Sequence, residues 1–316
     1  MRRIMNSTVP SKSSGLAVGD TRPYSPIRIS RSEWVSIRGL NLHLRWWSGD
    51  DAQTPLVMLH GWMDCSATFQ FIVDELRQTR PICALDWRGF GLSDRTTSDS
   101  YWFPDYLADL DQLLVRLSPD APVDVVAHSM GGNVALMYAG VRPDRIRRIV
   151  NLEGLGLGAT RSSQAPGRYR QWLDELREGS PRNGRAYPTL EALADRLMQS
   201  NRRLTPERAL FVAQHWSRPR DDGHFEILGD PAHKRVNPVL YRVPEVLACW
   251  RNIRASVLWV MAAEQPANRW HADDSEVQRR VRAIRSLQRV TVEDSGHMLH
   301  HDQPAAIARL IEDFLR

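Results

Sequence analysis

Val125-Val126-Ala127-His128-Ser129-Met130-Gly131-Gly132 is an apolar run that ends in a serine and passes at once into a stretch of helical character. Ser129 stands at the corner, with Ala127 two residues before it and Gly131 two residues after. Small residues at those places let strand and helix crowd together while the hydroxyl is lifted clear of the backbone, the arrangement known as a nucleophile elbow. Its usual form is G-x-S-x-G, and Ala127 adds one methyl group at the first position. A pentapeptide this loose also fits an ordinary strand end followed by a helix cap, so the flanking sequence has to decide.

Upstream, Pro55-Leu56-Val57-Met58-Leu59 and Pro81-Ile82-Cys83-Ala84-Leu85 are short continuous apolar runs of the kind found in strands buried on both faces. The first ends in His60-Gly61-Trp62, and the second opens into the loop Asp86 to Asp94. Helical spacing covers Ala67 to Leu76 and Tyr106 to Leu117. Earlier still, Trp34 to Ile37 and Leu40 to Leu44 alternate around Arg38-Gly39, which predicts a hairpin. Downstream, a helix from Met130 to about Gly140 leads to a strand, Arg147 to Leu152, that stops at Glu153-Gly154-Leu155-Gly156.

The rhythm then breaks until about residue 250, with helical patches at Tyr169 to Leu176, Leu190 to Met198 and Pro206 to Trp216. Strand and helix resume with Ser256 to Met261, a helix around Glu276 to Leu287 and Val290 to Val292. Gly296-His297 follows, and an amphipathic helix through Ile307, Leu310, Ile311 and Phe314 closes the chain. The predicted organisation is α/β: a mostly parallel eight-stranded sheet flanked by helices, from residues 31–155 and 251–316. A helical cap, residues 156–250, is inserted after the sixth strand, although a second packing layer would give the same pattern.

The formal charge of +5 comes almost wholly from arginine, since Lys12 and Lys234 are the only lysines among 316 residues. Those arginines are spread along the chain, which argues against a nucleic-acid surface. No apolar run approaches the ~20 residues that cross a bilayer. Cys65, Cys83 and Cys249 are far apart and odd in number, as expected of reduced thiols in a cytoplasmic protein. Residues 1–30 read as a flexible extension, without the apolar stretch of a secretory signal. Neither a dinucleotide loop nor a phosphate loop is present, and adjacent His300-His301 lacks chelating helical spacing. No cofactor or metal is therefore expected, and nothing sets an oligomeric state.

With His60-Gly61-Trp62, the Asp86 to Asp94 loop, Ser129 and Gly296-His297 in this order, the sequence from Trp34 onward resembles the α/β-hydrolase superfamily. The similarity is to its capped subgroup, which includes serine hydrolase-like proteins and carboxylesterases and, more distantly, haloalkane dehalogenases and epoxide hydrolases. A serine hydroxyl is inert at neutral pH without a base in hydrogen-bond reach, and the resemblance implies His297 for that role. It implies an orienting carboxylate either at the end of the strand after the elbow helix, where Glu153 stands, or after the strand that follows the cap, where Glu264 stands. Glu153, closing an apolar strand, is preferred and Glu264 is the alternative. Family geometry gives the oxyanion hole to the backbone N–H groups of Trp62 and Met130. It gives Arg88 and Asp94 to scaffolding, His60 and His128 to structural positions, and His300 and His301 to packing or the surface.

Because dehalogenases and epoxide hydrolases attack with an aspartate, a serine at 129 points to acyl transfer. The expected substrate is a small or medium, largely apolar carboxylic ester. Hydrolysis of carbon–carbon bonds in ring-fission products, or ligand binding and signalling with negligible turnover, are the alternatives.

Overall fold

The computed structural model describes residues 21–179, 186–264 and 274–316. β1 (Ser30–Ile37) and β2 (Leu40–Trp47) form the expected hairpin. Its two turn residues, Arg38 and Gly39, take φ of 51° and 79°, the left-handed pair whose twist matches that of the strands. β3 (Leu56–Leu59) leads through a turn of 3-10 helix to α1 (Gln70–Glu75), then β4 (Ile82–Leu85) and α2 (Phe103–Leu117). β5 (Val123–His128), α3 (Met130–Val141) and β6 (Ile146–Leu152) complete the first half.

The insertion holds α4 (Ala165–Glu178), β7 (Ala186–Tyr187), α5 (Leu190–Ser200), α6 (Pro206–Trp216), β8 (Ser217–Pro219) and β9 (Phe225–Ile227). It is not wholly helical, because β9 pairs antiparallel with both β7 and β8. Strands of two and three residues are too short to show alternation in sequence. α7 (Val243–Trp250) buries Val246 and Trp250 in the same apolar cluster as the sheet, and Cys249 approaches α3 so closely that a β-carbon on Gly140 would lie 2.0 Å from its carbonyl oxygen. The chain ends with β10 (Ser256–Ala262), α8 (Asp274–Val281), β11 (Leu287–Val292), α9 (Leu299–Asp302) and α10 (Pro304–Leu315). The helix expected to reach Leu287 stops at Val281, because Leu287 pairs with Val257 as the first rung of the edge strand.

The main sheet has eight strands in the order β1-β2-β4-β3-β5-β6-β10-β11, with β2 antiparallel to its neighbours and every other pair parallel. Alternate residues feed two cores. Val57, Leu59, Val125, Ile149 and Val257 face α2, α3 and α7, while Leu56, Met58, Val126, Val150 and Leu258 face α1 and α10. Burying both faces explains the uninterrupted apolar runs, and it leaves the carboxyl ends of the strands as the place where polar side chains can gather. Of the expected extension, residues 1–20 lie outside the described residues. Residues 21–29 lack regular structure but are pinned rather than free: Tyr24 donates to Asp74 at 2.8 Å and packs its ring edge on Phe71 and Phe211.

Candidate active site

β5 ends at His128, and Ser129 turns the chain with φ 49° and ψ −110°, a conformation that a non-glycine residue adopts only when its surroundings enforce it. Those surroundings are tight. A β-carbon on Gly131 would lie 2.3 Å from the Leu59 carbonyl oxygen, so α3 can start against β3 only with glycine there. The hydroxyl is thereby held clear of the sheet, and its oxygen lies 3.0 Å from His297 Nε2. His297 sits on the loop after β11, 168 residues away in sequence, with its side chain 43% exposed.

On the far side of the imidazole, Nδ1 faces Glu153 Oε2 at 3.5 Å, at the long end of a hydrogen bond. The Glu153 side chain is 1% exposed, and its other oxygen accepts from the Ala262 amide at 2.7 Å. Its backbone is equally fixed, with φ 65° and an amide that donates to the Val260 carbonyl at 2.9 Å. Glu264, the alternative acid, is not brought to the imidazole. It is 68% exposed and pairs with Arg203, because β10 has already ended and its next residues turn outward.

The segment His60-Gly61-Trp62 runs beside the serine: a β-carbon on Gly61 would lie 3.3 Å from Ser129 Cβ. Met130 is the first residue of α3, where backbone N–H groups have no acceptor within the helix. His60 is a structural strut. Its Nδ1 donates to the Gly61 carbonyl at 2.7 Å and its Nε2 accepts from the Trp87 amide at 3.0 Å, which fixes one neutral tautomer. His128, also buried, donates from Nε2 to the carbonyl of His297 at 2.8 Å. Burial, and then the neighbouring imidazoles, hold His128 well below the usual histidine range. No local pattern in the chain signals that it anchors the loop carrying His297. Arg88 and Asp94 brace the loops: Arg88 forms two short contacts to buried Asp109, and Asp94 accepts from the Asn41 amide at 2.8 Å. His300 and His301 are buried rather than on the surface.

Ser129 opens into a cavity of about 270 Å³ whose wall includes Trp62, Tyr101, Trp102, Phe103, Met130 and Leu157. The insertion contributes His233, stacked 3.7 Å from both Phe90 and Tyr101. A strained serine, a base in contact with it and a carboxylate behind the base can together perform general-base-assisted nucleophilic attack.

The sequence profile of the alpha/beta hydrolase fold matches residues 54–304. The chain belongs to the alpha/beta hydrolase family. A serine hydrolase-like protein of Danio rerio is 27% identical over 289 residues, covering 90% of this chain and 86% of that one. The 2-hydroxymuconate semialdehyde hydrolase of Pseudomonas sp. strain CF600 is 32% identical over 110 residues, 33% of this chain and 37% of the other. Among solved structures, the thioesterase domain from the curacin biosynthetic pathway superposes with a TM-score of 0.79 at 25% identity, covering 90% of this chain and 99% of the domain. This alpha/beta hydrolase therefore shares its overall fold with that thioesterase domain. No helix among its described residues is long and apolar enough to cross a membrane.

Proposed function

We propose that this hydrolase cleaves carboxylic esters or thioesters through an acyl-enzyme on Ser129. The 3.0 Å contact between Ser129 Oγ and His297 Nε2 carries the reading. His297 takes the serine proton as Oγ adds to the carbonyl carbon, and returns it to the departing alcohol or thiol. Glu153 keeps the proton on Nδ1, so that Nε2 remains the acceptor, and it stabilises the imidazolium that forms. Backbone N–H groups of Trp62 and Met130 are assigned to the oxyanion, aided by the positive end of α3. Water then attacks the acyl-enzyme with the same imidazole as base.

An aspartate at position 129 would suit dehalogenation or epoxide opening, whereas a serine would leave an ether that this hydrolysis cannot release. The aromatic cavity of about 270 Å³ supports small or medium apolar acyl groups, with residues 156–250 acting as the cap over it. Three free thiols support a cytoplasmic setting.

The test is a stopped-flow assay with p-nitrophenyl esters of increasing acyl length, beside an acyl thioester and a vinylogous diketone. The expected result is a burst of nitrophenol equal to the enzyme concentration, with the highest kcat/KM on short to medium acyl chains. Turnover of the diketone alone would establish carbon–carbon cleavage instead. Tight ester binding without a burst would leave a binding protein.

A further inference from the structure

Outside the candidate catalytic set, three buried side chains from distant parts of the chain converge. Asp64 leaves the turn after β3, while His300 and His301 lie on α9; they are 5%, 0% and 3% exposed. Their ligand-capable atoms all lie within 4.8 Å of one another, and His300 Nε2 is 3.6 Å from Asp64 Oδ2. We propose that Asp64, His300 and His301 form a binding site for a divalent transition metal of the Zn²⁺ type.

The first support is an unbalanced account of polar atoms. Both ring nitrogens of His300 and Nε2 of His301 are buried with no hydrogen-bond partner among the described residues. Every imidazole has two nitrogens to satisfy, and a cluster of bare ones in a protein interior calls for an ion or water. Donor chemistry narrows the choice. Two imidazoles and one carboxylate suit Zn²⁺, Ni²⁺ or Cu²⁺, while Ca²⁺ and Mg²⁺ favour all-oxygen shells. The carboxylate offsets half the charge of a dication, so binding does not bury an unpaired double charge.

The remaining groups around Asp64 behave as an outer shell. Cys65 N donates to Oδ1 at 2.9 Å and Thr68 Oγ1 to Oδ2 at 3.1 Å, which orients the carboxylate toward the histidines. A way in exists as well, because Asp64 and His301 both line an apolar cavity of about 390 Å³ with Met63, Leu197, Val212 and Met298. That cavity leaves a fourth position for water. Metal–nitrogen bonds of about 2.0 Å place tetrahedral donors roughly 3.3 Å apart, so loading draws the three groups closer together.

Such an ion would sit between the two segments that flank the serine. Asp64 follows Trp62 by two residues, and His300 follows His297 by three. The His300 ring lies 4.3 Å from that of His128, which holds the His297 carbonyl. A bound metal would therefore tie the oxyanion segment to the imidazole loop.

The test uses the full chain freed of metal by chelator and titrated with ZnCl₂, followed by calorimetry and thermal unfolding. One ion is expected to bind and to raise Tm by roughly 4 °C at about 100 times Kd. Asp64→Asn and His301→Gln should each weaken binding by about 100-fold or more. His297→Ala should retain it, which separates this site from an ion held by His297 and Glu153. Co²⁺ in the parent should show the intense visible bands of tetrahedral coordination, a readout that survives if the variants fail to fold. Absence of saturable one-to-one binding, octahedral-only Co²⁺, undiminished binding in Asp64→Asn and His301→Gln, or loss of binding in His297→Ala would each overturn the proposal. None of these readouts depends on hydrolysis.

Discussion

Glu153→Gln is expected to lower kcat on a p-nitrophenyl ester by about 10³- to 10⁴-fold, while Glu264→Gln stays within about twofold of the parent. The cause is a tautomer. With glutamate, the imidazole keeps its proton on Nδ1, facing Oε2 at 3.5 Å, and Nε2 is free to accept from Ser129 at 3.0 Å. A glutamine can still accept from the Ala262 amide, which now donates to Oε1 at 2.7 Å, so its amide group turns its N–H toward Nδ1. Nδ1 must then accept, Nε2 carries the proton, and the serine has no base. Size and burial are unchanged, so melting temperatures of parent and variant should agree within a few degrees. Glu264, exposed and paired with Arg203, belongs to a surface ion pair whose loss costs little. Parent-like turnover in Glu153→Gln would remove the acid from the mechanism.

Acidification is expected to unfold the protein cooperatively near pH 5, above the range in which carboxylates titrate. Outside the proposed metal site, four histidines are held neutral by burial: His60 and His128 below the usual range, His215 down to about 4 and His233 to about 3. In the unfolded chain each binds a proton near pH ~6.5, and in the native state it does not until far lower. The unfolded state therefore binds more protons between those limits, and stability falls as pH falls through that window. Each such group removes up to about 1.4 kcal/mol per pH unit, and four remove roughly 5 kcal/mol per unit. A total stability of about 5–15 kcal/mol does not survive that slope for long. His60 shows the structural reason, since a proton on Nε2 would point at the Trp87 amide that now donates to it. Tryptophan fluorescence and circular dichroism against pH, with chelator present, should share one transition between about pH 4.5 and 5.5. A fold intact at pH 4 would mean that these imidazoles take up protons without disruption.

Much of the molecule is legible in its sequence because its strands are short, doubly buried and separated by turn residues. The alternation that sends Leu56 to one core and Val57 to the other is hidden inside the run from Leu56 to Leu59, but such runs themselves mark a covered parallel sheet. Ser129 and His297 are readable from small residues around the one and a terminal loop around the other. The cost of ending an apolar strand with a charge favours Glu153 over Glu264, and of the two it is Glu153 that the geometry brings to the imidazole. What stays hidden are relations between segments far apart in the chain. Asp64 and His300 are separated by more than two hundred residues, and no local spacing announces their meeting. The bond from His128 to the His297 carbonyl is likewise a product of the fold, as is the stacking of His233 between Phe90 and Tyr101. The three short strands of the insertion lack the length to declare themselves.

The central claim is that Ser129 is made nucleophilic by His297. Its most direct measurement is intact-protein and peptide mass spectrometry after brief exposure to a fluorophosphonate probe at neutral pH. One phosphonyl adduct per chain, located on the peptide containing Ser129, absent in Ser129→Ala and strongly slowed in His297→Ala, is the expected result. A parent that stays unlabelled, or an adduct that persists in Ser129→Ala, would contradict it.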